Sequence, residues 1–491
     1  MFDNNLLIMN CLGSDGLSAS WTPCDAQCNE MYEAFFRKLP KTLNEIYERV
    51  LRDIHEDNRE HAHRLHCIAV AIRPLFVEEL AEILAFDFDV AEGGIPQFRM
   101  NWRWKDQEEA IMSTCSSLIT IAEYGHSPSR RVVQFSHFSV KEFLMSNRLA
   151  SPTKDVSQYH ILPGPAHTIL AQACLGFLLH LDDHIDTQKV KDSPLAEYAA
   201  THWVAHAQFQ DVAVHVKYGM KDLFDPDKPH FASWIGIHDI DGPPYLGFDE
   251  VSRATPLYYS ALAGFYDLTQ HLVLERPHHV NAIGGVRNFP LVAALIGRHV
   301  RVAELLLEHG GKVNVQGTGG RTPLHTLLCF NDFEDSDNCT VQFLLERGAD
   351  SNARDEGHQT PLHILLELNK FTWAFDHHRI AYLLVVSRFL LEHGADVNVQ
   401  DYDHRTPLFL AMQHEVSNLA RFLLENGADP ELKNKSGKAP LHILLGIRDY
   451  GWDRRYHNAG HILVVAQLLL EHGADVNVRD NNHNTPLVLA M

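Results

Sequence analysis

The apolar positions of the second half of the chain fall into one phrase written several times. Leu390–Asn398 reads LLEHGADVN, and the phrase returns at Leu469–Asn477, Leu344–Asn352, Leu306–Asn314 and, as LLENGADPE, at Leu423–Glu431. Between successive copies stands Thr-Pro-Leu or a close relative, with prolines at 256, 290, 323, 361, 407, 440 and 486, spaced by 34, 33, 38, 46, 33 and 46 residues. In Thr360-Pro361-Leu362-His363, proline suits the first helical position, where no amide hydrogen is required. Thr360 then falls at the N-cap, where its hydroxyl can accept an orphan amide. Leu362, Leu365 and Leu366 share one helical face. The second helix carries Leu390 and Leu391 and is expected to stop at Gly394 in the left-handed conformation. Asp396 and Asn398 suit the turns that follow. A single such helix pair cannot bury its apolar face, so neighbours must stack.

A period near 33 residues built from TPLH and LLLEHGADVN resembles the ankyrin repeat. The resemblance covers residues 251–491, about six repeats and a seventh that stops within its first helix. It implies an α-solenoid that binds another protein. A second period lies over the first. Pro361–Val399 and Pro440–Val478 align without gaps in a unit of 79 residues, one long repeat plus one standard repeat. The 13 extra residues of each long repeat fall between its helices, where Trp373 matches Trp452.

Upstream the pattern changes. Residues 1–38 show no period and are expected to form a poorly anchored tail. From Leu39, LPKTLNEIYERVLRDI lines up Leu43, Ile46, Tyr47, Val50, Leu51 and Ile54. Helices are expected near 60–71 and at Val77–Phe86, then a helix and strand over Met112–Ile121. A return strand over Val132–Phe138 has its hairpin tip at Ser127-Pro128-Ser129, and a last helix covers Ser139–Leu149. Three helices, a further helix and a two-stranded wing make a winged-helix module over 39–150, with a helical linker domain over 151–250. The predicted fold class is therefore mainly α: winged helix, helical linker, ankyrin solenoid.

LPKTLNEIYERVL, RPLFVEELAEILAF and VQFSHFSVKEFLMSNRL resemble the segment that follows the nucleotide-binding domain in fungal NACHT–ankyrin proteins, a winged-helix segment named after GPI inositol-deacylase. That resemblance implies a signalling ATPase used in non-self recognition or regulated cell death. The ATPase does not carry over: no G-x-x-x-x-G-K-[ST] is present, and Gly310-Gly311-Lys312-Val313 lacks the upstream glycine and the hydroxyl residue. The chain is expected to be an excerpt, from a truncated gene model or a rearranged locus; the alternative to a plain adaptor is the regulatory portion of a nucleotide-driven switch whose ATPase is encoded upstream.

Composition narrows the classes. The net charge is −21, with 63 acidic residues against 42 basic ones, which argues against a nucleic-acid binder. The acidic Glu78, Glu79 and Glu82 on the expected helix Val77–Phe86 argue likewise. No apolar run is long enough to span a membrane, and the opening MFDNNLLIMN lacks a signal-peptide layout. Eight irregularly spaced cysteines fit a reducing interior, hence the cytoplasm or the nucleus. Cys24 and Cys28 have no second ligand pair, so no metal is expected. The 33 histidines include His309, His325, His363, His393, His442 and His472 at repeat positions, where they cap and pack. His137 has no nucleophile elbow beside it. No catalytic residue, cofactor or metal site is expected, and the partner is a protein. Candidate contacts are Arg321, His358, Tyr402, His404, Arg405, Asn482 and His483, where the repeat grammar leaves freedom, with Trp373 and Trp452 as anchors of the two inserts.

Overall fold

The computed structural model describes residues 42–54, 66–89, 94–115, 117–125, 127–150, 155–181, 193–242, 254–330, 338–367, 377–413, 417–446 and 459–490. The expected N-terminal tail, with Cys11, Cys24 and Cys28, and both insert tryptophans, Trp373 and Trp452, lie outside the described residues.

Helix α1 (Leu43–Arg52) starts where Thr42 accepts the Glu45 amide at 3.3 Å. Tyr47 and Leu51 face the core, whereas Leu43, expected on the same stripe, is 56% exposed because it sits in the first turn beyond the packed face. Tyr47 meets Phe143 with ring centroids 5.3 Å apart, and its hydroxyl shares a hydrogen bond with Ser139 at 2.8 Å. After α2 (His66–Val70), β1 (Leu75–Phe76) leads into α3 (Val77–Leu84). Strands β2 (Ile119–Tyr124) and β3 (Ser127–Phe135) form the wing, and β1 adds to the far side of β3 to give an antiparallel sheet ordered β1-β3-β2. The hairpin turns earlier than expected, around Gly125 at φ +69°, because glycine takes the left-handed turn while Ser127 and Pro128 already belong to the strand. Helix α3 also stops short of Phe86, which pairs with Phe98 in a small ribbon that the apolar pattern had merged into the helix.

The expected acidic face of α3 is not there. Glu79 and Glu82 are each 2% exposed, and Glu78 alone of the three faces water. Glu79 is held bidentately by Arg73, at 2.8 Å and 2.5 Å, and accepts the Phe76 amide at 2.8 Å. Glu82 is bonded by Arg103 and by the backbone amide of Leu195 at 3.1 Å, and burial raises its pKa. These carboxylates serve packing: Glu82 joins the winged segment to the first turn of α5 (Pro194–Ala207).

Helix α4 (Pro163–His180) is apolar nearly all round and is accordingly buried, lying beside α5. An aromatic cluster closes this helical region against the array. Trp203 stacks on Phe265 at 5.5 Å and meets Trp234 edge-on at 5.2 Å, and Trp234 donates its indole N–H to the Ala200 carbonyl at 3.0 Å. Buried Asp241 bonds the Arg287 guanidinium and the Val286 amide, while Tyr258 accepts the Arg287 amide at 3.1 Å. One continuous core runs from α1 into the array.

The array is a run of helix pairs whose first members begin at Pro256, Pro290, Pro323, Pro361, Pro407, Pro440 and Pro486, as the spacing requires. Gly310, Gly348, Gly394, Gly427 and Gly473 all end second helices at φ between +83° and +95°. No described helix is long and apolar enough to cross a membrane.

Candidate protein-binding surface

Between one repeat's second helix and the next repeat's first helix the chain folds into a short hairpin finger. Four of the fingers are tied at the base by an acid or amide side chain, Asp355, Asp401, Asn434 or Asp480. Asp401 Oδ1 accepts the amides of Asp403 (2.9 Å) and Arg405 (2.8 Å). Asp480 does the same for Asn482 and Asn484, and Asn434 for Ser436 and Lys438. Three residues beyond each tie the backbone must turn left-handed, at His358 (φ +57°), His404 (+58°), Gly437 (+72°) and His483 (+61°).

Adjacent fingertips are joined backbone to backbone. The Glu356 amide donates to Gly319 O (2.9 Å), Tyr402 to Gly357 O (2.9 Å), Lys435 to Asp403 O (3.0 Å) and Asn481 to Ser436 O (3.1 Å). The tips therefore stand in one row at a fixed step.

Behind the row, buried histidines bolt repeat to repeat. His363 Nδ1 accepts the Thr360 amide at 3.3 Å, so Nε2 carries the proton and donates to the Arg405 carbonyl of the next finger at 2.9 Å. His325 reaches the Gln359 carbonyl and His442 the Asn484 carbonyl in the same way. All three are fully buried, and burial lowers the pKa of His325 and His363. Here the expected threonine cap is redirected: the Thr360 hydroxyl donates to His363 Nδ1 at 2.8 Å. Where Phe409 replaces histidine, Thr406 accepts the Phe409 amide at 3.2 Å, the cap that the sequence suggested. His309, His393 and His472 turn back onto the carbonyl four residues earlier, closing helix ends.

At the foot of the array an asparagine ladder crosses the same junctions. Asn314 donates to Gly348 O (2.9 Å) and accepts the Asp350 amide (2.8 Å); Asn281, Asn352 and Asn398 repeat the pattern. At Glu431 the carboxylate accepts the Asp475 amide (2.8 Å) but has no N–H for the Gly473 carbonyl.

His358, Tyr402, His404, Asn482 and His483 are exposed along the fingertip row, Tyr402 by 64%. The rings of His358 and Tyr402 lie 6.2 Å apart. Arg405 is placed differently. Its side chain is 19% exposed and bonds Asp401 at 2.8 Å and Glu367 at 3.1 Å, bracing finger to helix. Arg321 lies 3.8 Å from Asp355 and contacts Cys329. Sequence reasoning missed Lys435, whose ammonium sits 3.2 Å from the Tyr402 ring centroid and 3.6 Å from Asp403. The two residues are one repeat apart, and only the shared position in successive fingers would have linked them. No group of three or more His, Cys, Asp or Glu suited to a metal occurs among the described residues.

Comparison with known proteins agrees with this architecture. Residues 257–355, 291–387 and 334–434 each match a family described as ankyrin repeats in three copies, and 436–481 match the single ankyrin repeat. The second half of the chain is an ankyrin-repeat solenoid. Residues 49–153 match the winged helix domain of GPI inositol-deacylase. A relative from Monascus ruber, described as azaphilone pigments biosynthesis cluster protein L, is 29% identical over 308 residues, 59% of this chain and 63% of that protein. A putative ankyrin repeat protein of Rickettsia felis is 35% identical over 78 residues, 16% of this chain and 34% of that one. The chain thus spans under two thirds of the length of either relative. Among solved structures, the Bcl-3 ankyrin domain is 23% identical with a TM-score of 0.38, covering 48% of this chain and 94% of that one. The human ASB11 ankyrin domain is 24% identical with a TM-score of 0.35, covering 48% and 92%. The ankyrin repeats support a protein–protein interaction role.

Proposed function

We propose that this chain is an adaptor that holds a protein partner along the fingertip row of its ankyrin array, in the cytoplasm or nucleus of a fungus, in signalling or non-self recognition. The observation that carries the reading is the row itself. Its backbone is locked by tip-to-tip hydrogen bonds while Tyr402, His358, His404, Asn482 and His483 stay exposed. A rigid row loses little conformational entropy on binding, and an exposed tyrosine is a residue type that anchors interfaces. Arg321, Arg405, Trp373 and Trp452 remain in the proposed set, with Arg405 acting through the finger that it braces. The fungal relative supports the setting.

A second reading makes the chain the regulatory portion of a nucleotide-driven switch whose ATPase is encoded upstream. What favours it is the winged segment joined to the array through Glu82 and Asp241 with a continuous core, as a part that relays movement would be.

Affinity capture from extract of the source cells tests the first reading. The full chain is compared with a chain carrying Tyr402→Ala and Asn482→Ala. A protein retained by the first and lost by the second supports the proposal; identical sets overturn it. An in-frame P-loop in the genomic sequence upstream of Met1 would favour the switch.

A further inference from the structure

The whole molecule is acidic, yet its charges are sorted. The exposed ends of the second helices carry Glu308, Glu346, Glu392, Glu425 and Glu471. The fingers differ. Their carboxylates Asp355, Asp401 and Asp480 are buried at the finger bases and accept backbone amides, so their charge is turned inward. At the tips themselves (354–358, 400–404, 433–437 and 479–483) the exposed charges are Arg354, Lys433, Lys435 and Arg479 against Glu356 and Asp403, while the exposed Asp350, Asp396, Asp429 and Asp475 lie in the turns at the foot of the fingers. Asp403 is itself paired with Lys435 at 3.6 Å. In a chain of net charge −21, this row is a locally cationic strip.

From this sorting we infer that the fingertip row takes an acidic peptide segment in extended conformation; the inference rests on the partner-binding reading above and adds the partner's chemistry. Three features of the strip fit such a segment. The tips advance by one backbone hydrogen bond per repeat, so a straight ligand meets them in turn. Lys433 reaches across to the next finger, donating to the Arg479 carbonyl at 3.0 Å, which gathers the cations of two fingers. Tyr402, with Lys435 over its ring, offers an aromatic surface beside the cations, and the ring's negative face helps hold that ammonium at the tip. Opposite charge across an interface steers encounter and rejects wrong partners. A nucleic-acid strand also carries negative charge, but along its whole length, and beyond the strip it would meet the glutamates of the helix ends.

Fluorescence anisotropy with the full chain tests this, using three labelled probes: a glutamate-rich peptide, the same peptide with glutamine for glutamate, and a single-stranded oligonucleotide. The glutamate peptide is expected to bind best and to weaken as salt is raised. The double variant Lys433→Glu, Lys435→Glu is expected to lose about tenfold or more in affinity for it, and Lys433→Arg, Lys435→Arg to keep it. Both changes are at the surface, and unchanged thermal melting confirms that the fold is intact. Equal binding of the glutamine peptide, tighter binding of the oligonucleotide, absence of binding to all three, or an affinity unmoved by charge reversal would each overturn the acidic-segment inference. A captured protein that depends on Tyr402 and Asn482 but is indifferent to the charge reversal overturns this inference while leaving the partner-binding reading standing.

Discussion

Asn398 and Gly427 belong to successive repeats, and the amide of one donates to the carbonyl of the other at 3.0 Å. The same asparagine accepts the Asp429 amide at 2.8 Å, so one side chain satisfies both a donor and an acceptor across the junction. Replacing Asn398 with alanine leaves both groups to water or to nothing, and about 1–3 kcal/mol should be lost, measured as a lower urea midpoint. Glu431→Asn supplies the donor missing for Gly473 and should raise stability by about 0.5–1.5 kcal/mol. A lower midpoint for Glu431→Asn would show that the ladder does not extend to that junction.

Gly394 sits at φ +83°, and a Cβ built there meets nothing within 4 Å. Backbone strain is then the whole cost, so Gly394→Val should destabilise by about 1–3 kcal/mol in chemical denaturation. Gly437 adds a steric cost, since its Cβ would press on Asn481 of the next finger. Gly437→Val should therefore lower the midpoint further than Gly394→Val.

Arg73 neutralises buried Glu79 and also lies over the rings of Phe76 and Tyr198, at 4.8 Å and 5.0 Å. Arg73→Leu leaves that carboxylate without its counter-charge and should cost about 3–5 kcal/mol. Adding Glu79→Gln should recover part of the loss, because a neutral amide is less costly to bury. A double variant as unstable as the single one would show that Arg73 acts only through packing.

His206 is fully buried, hydrogen-bonded to Tyr198 at 2.9 Å and to His167 at 2.8 Å. Burial first, then the neighbouring His167 and His202, push its pKa down to about 3. A depressed imidazole binds fewer protons folded than unfolded, so its contribution is full above the ordinary value of about 6.5 and is lost as pH falls through the window down to about 3. His167, His202, His325 and His363 are shifted in the same direction, each chiefly by burial. His206 alone should remove about 2 kcal/mol between about pH 6.5 and pH 5, read from urea midpoints at a series of pH values. His206→Gln should flatten that slope.

The repeat grammar made the array legible because its signals are local. A proline opens each first helix, a glycine ends each second one from Val300–Glu308 onwards, and neither depends on distant residues. The winged segment was legible in its order of elements but not in its polar interior. Glu79 and Glu82 read as surface charge because the arginines that bury them are Arg73, just before the helix, and Arg103, well after it. The fingertip row was half legible. His358, Tyr402, His404, Asn482 and His483 stand out as departures from a repeating pattern, and all five are exposed on the tips. Arg405 stands out in the same way yet is engaged by Asp401 and Glu367, since variability in sequence does not say which way a side chain turns. For the contact of Lys435 with Tyr402 the sequence offers only their shared position in successive fingers, because the contact exists only when two fingers lie side by side.

The tip-to-tip hydrogen bonds and the asparagine ladder, with Glu431 standing in at one junction, run along two edges of the array's later half like the two rails of a track. A residue added to a finger would put both rails out of step with the next sleeper. The lengthened repeats obey that rule in sequence: the added length lies between the opening of a first helix, at Pro323, Pro361 or Pro440, and the end of the second, at Glu346, Glu392 or Glu471, and not in a finger. Such an array can lengthen inside a repeat while its gauge stays constant, so diversification by copying units leaves the step from finger to finger unchanged.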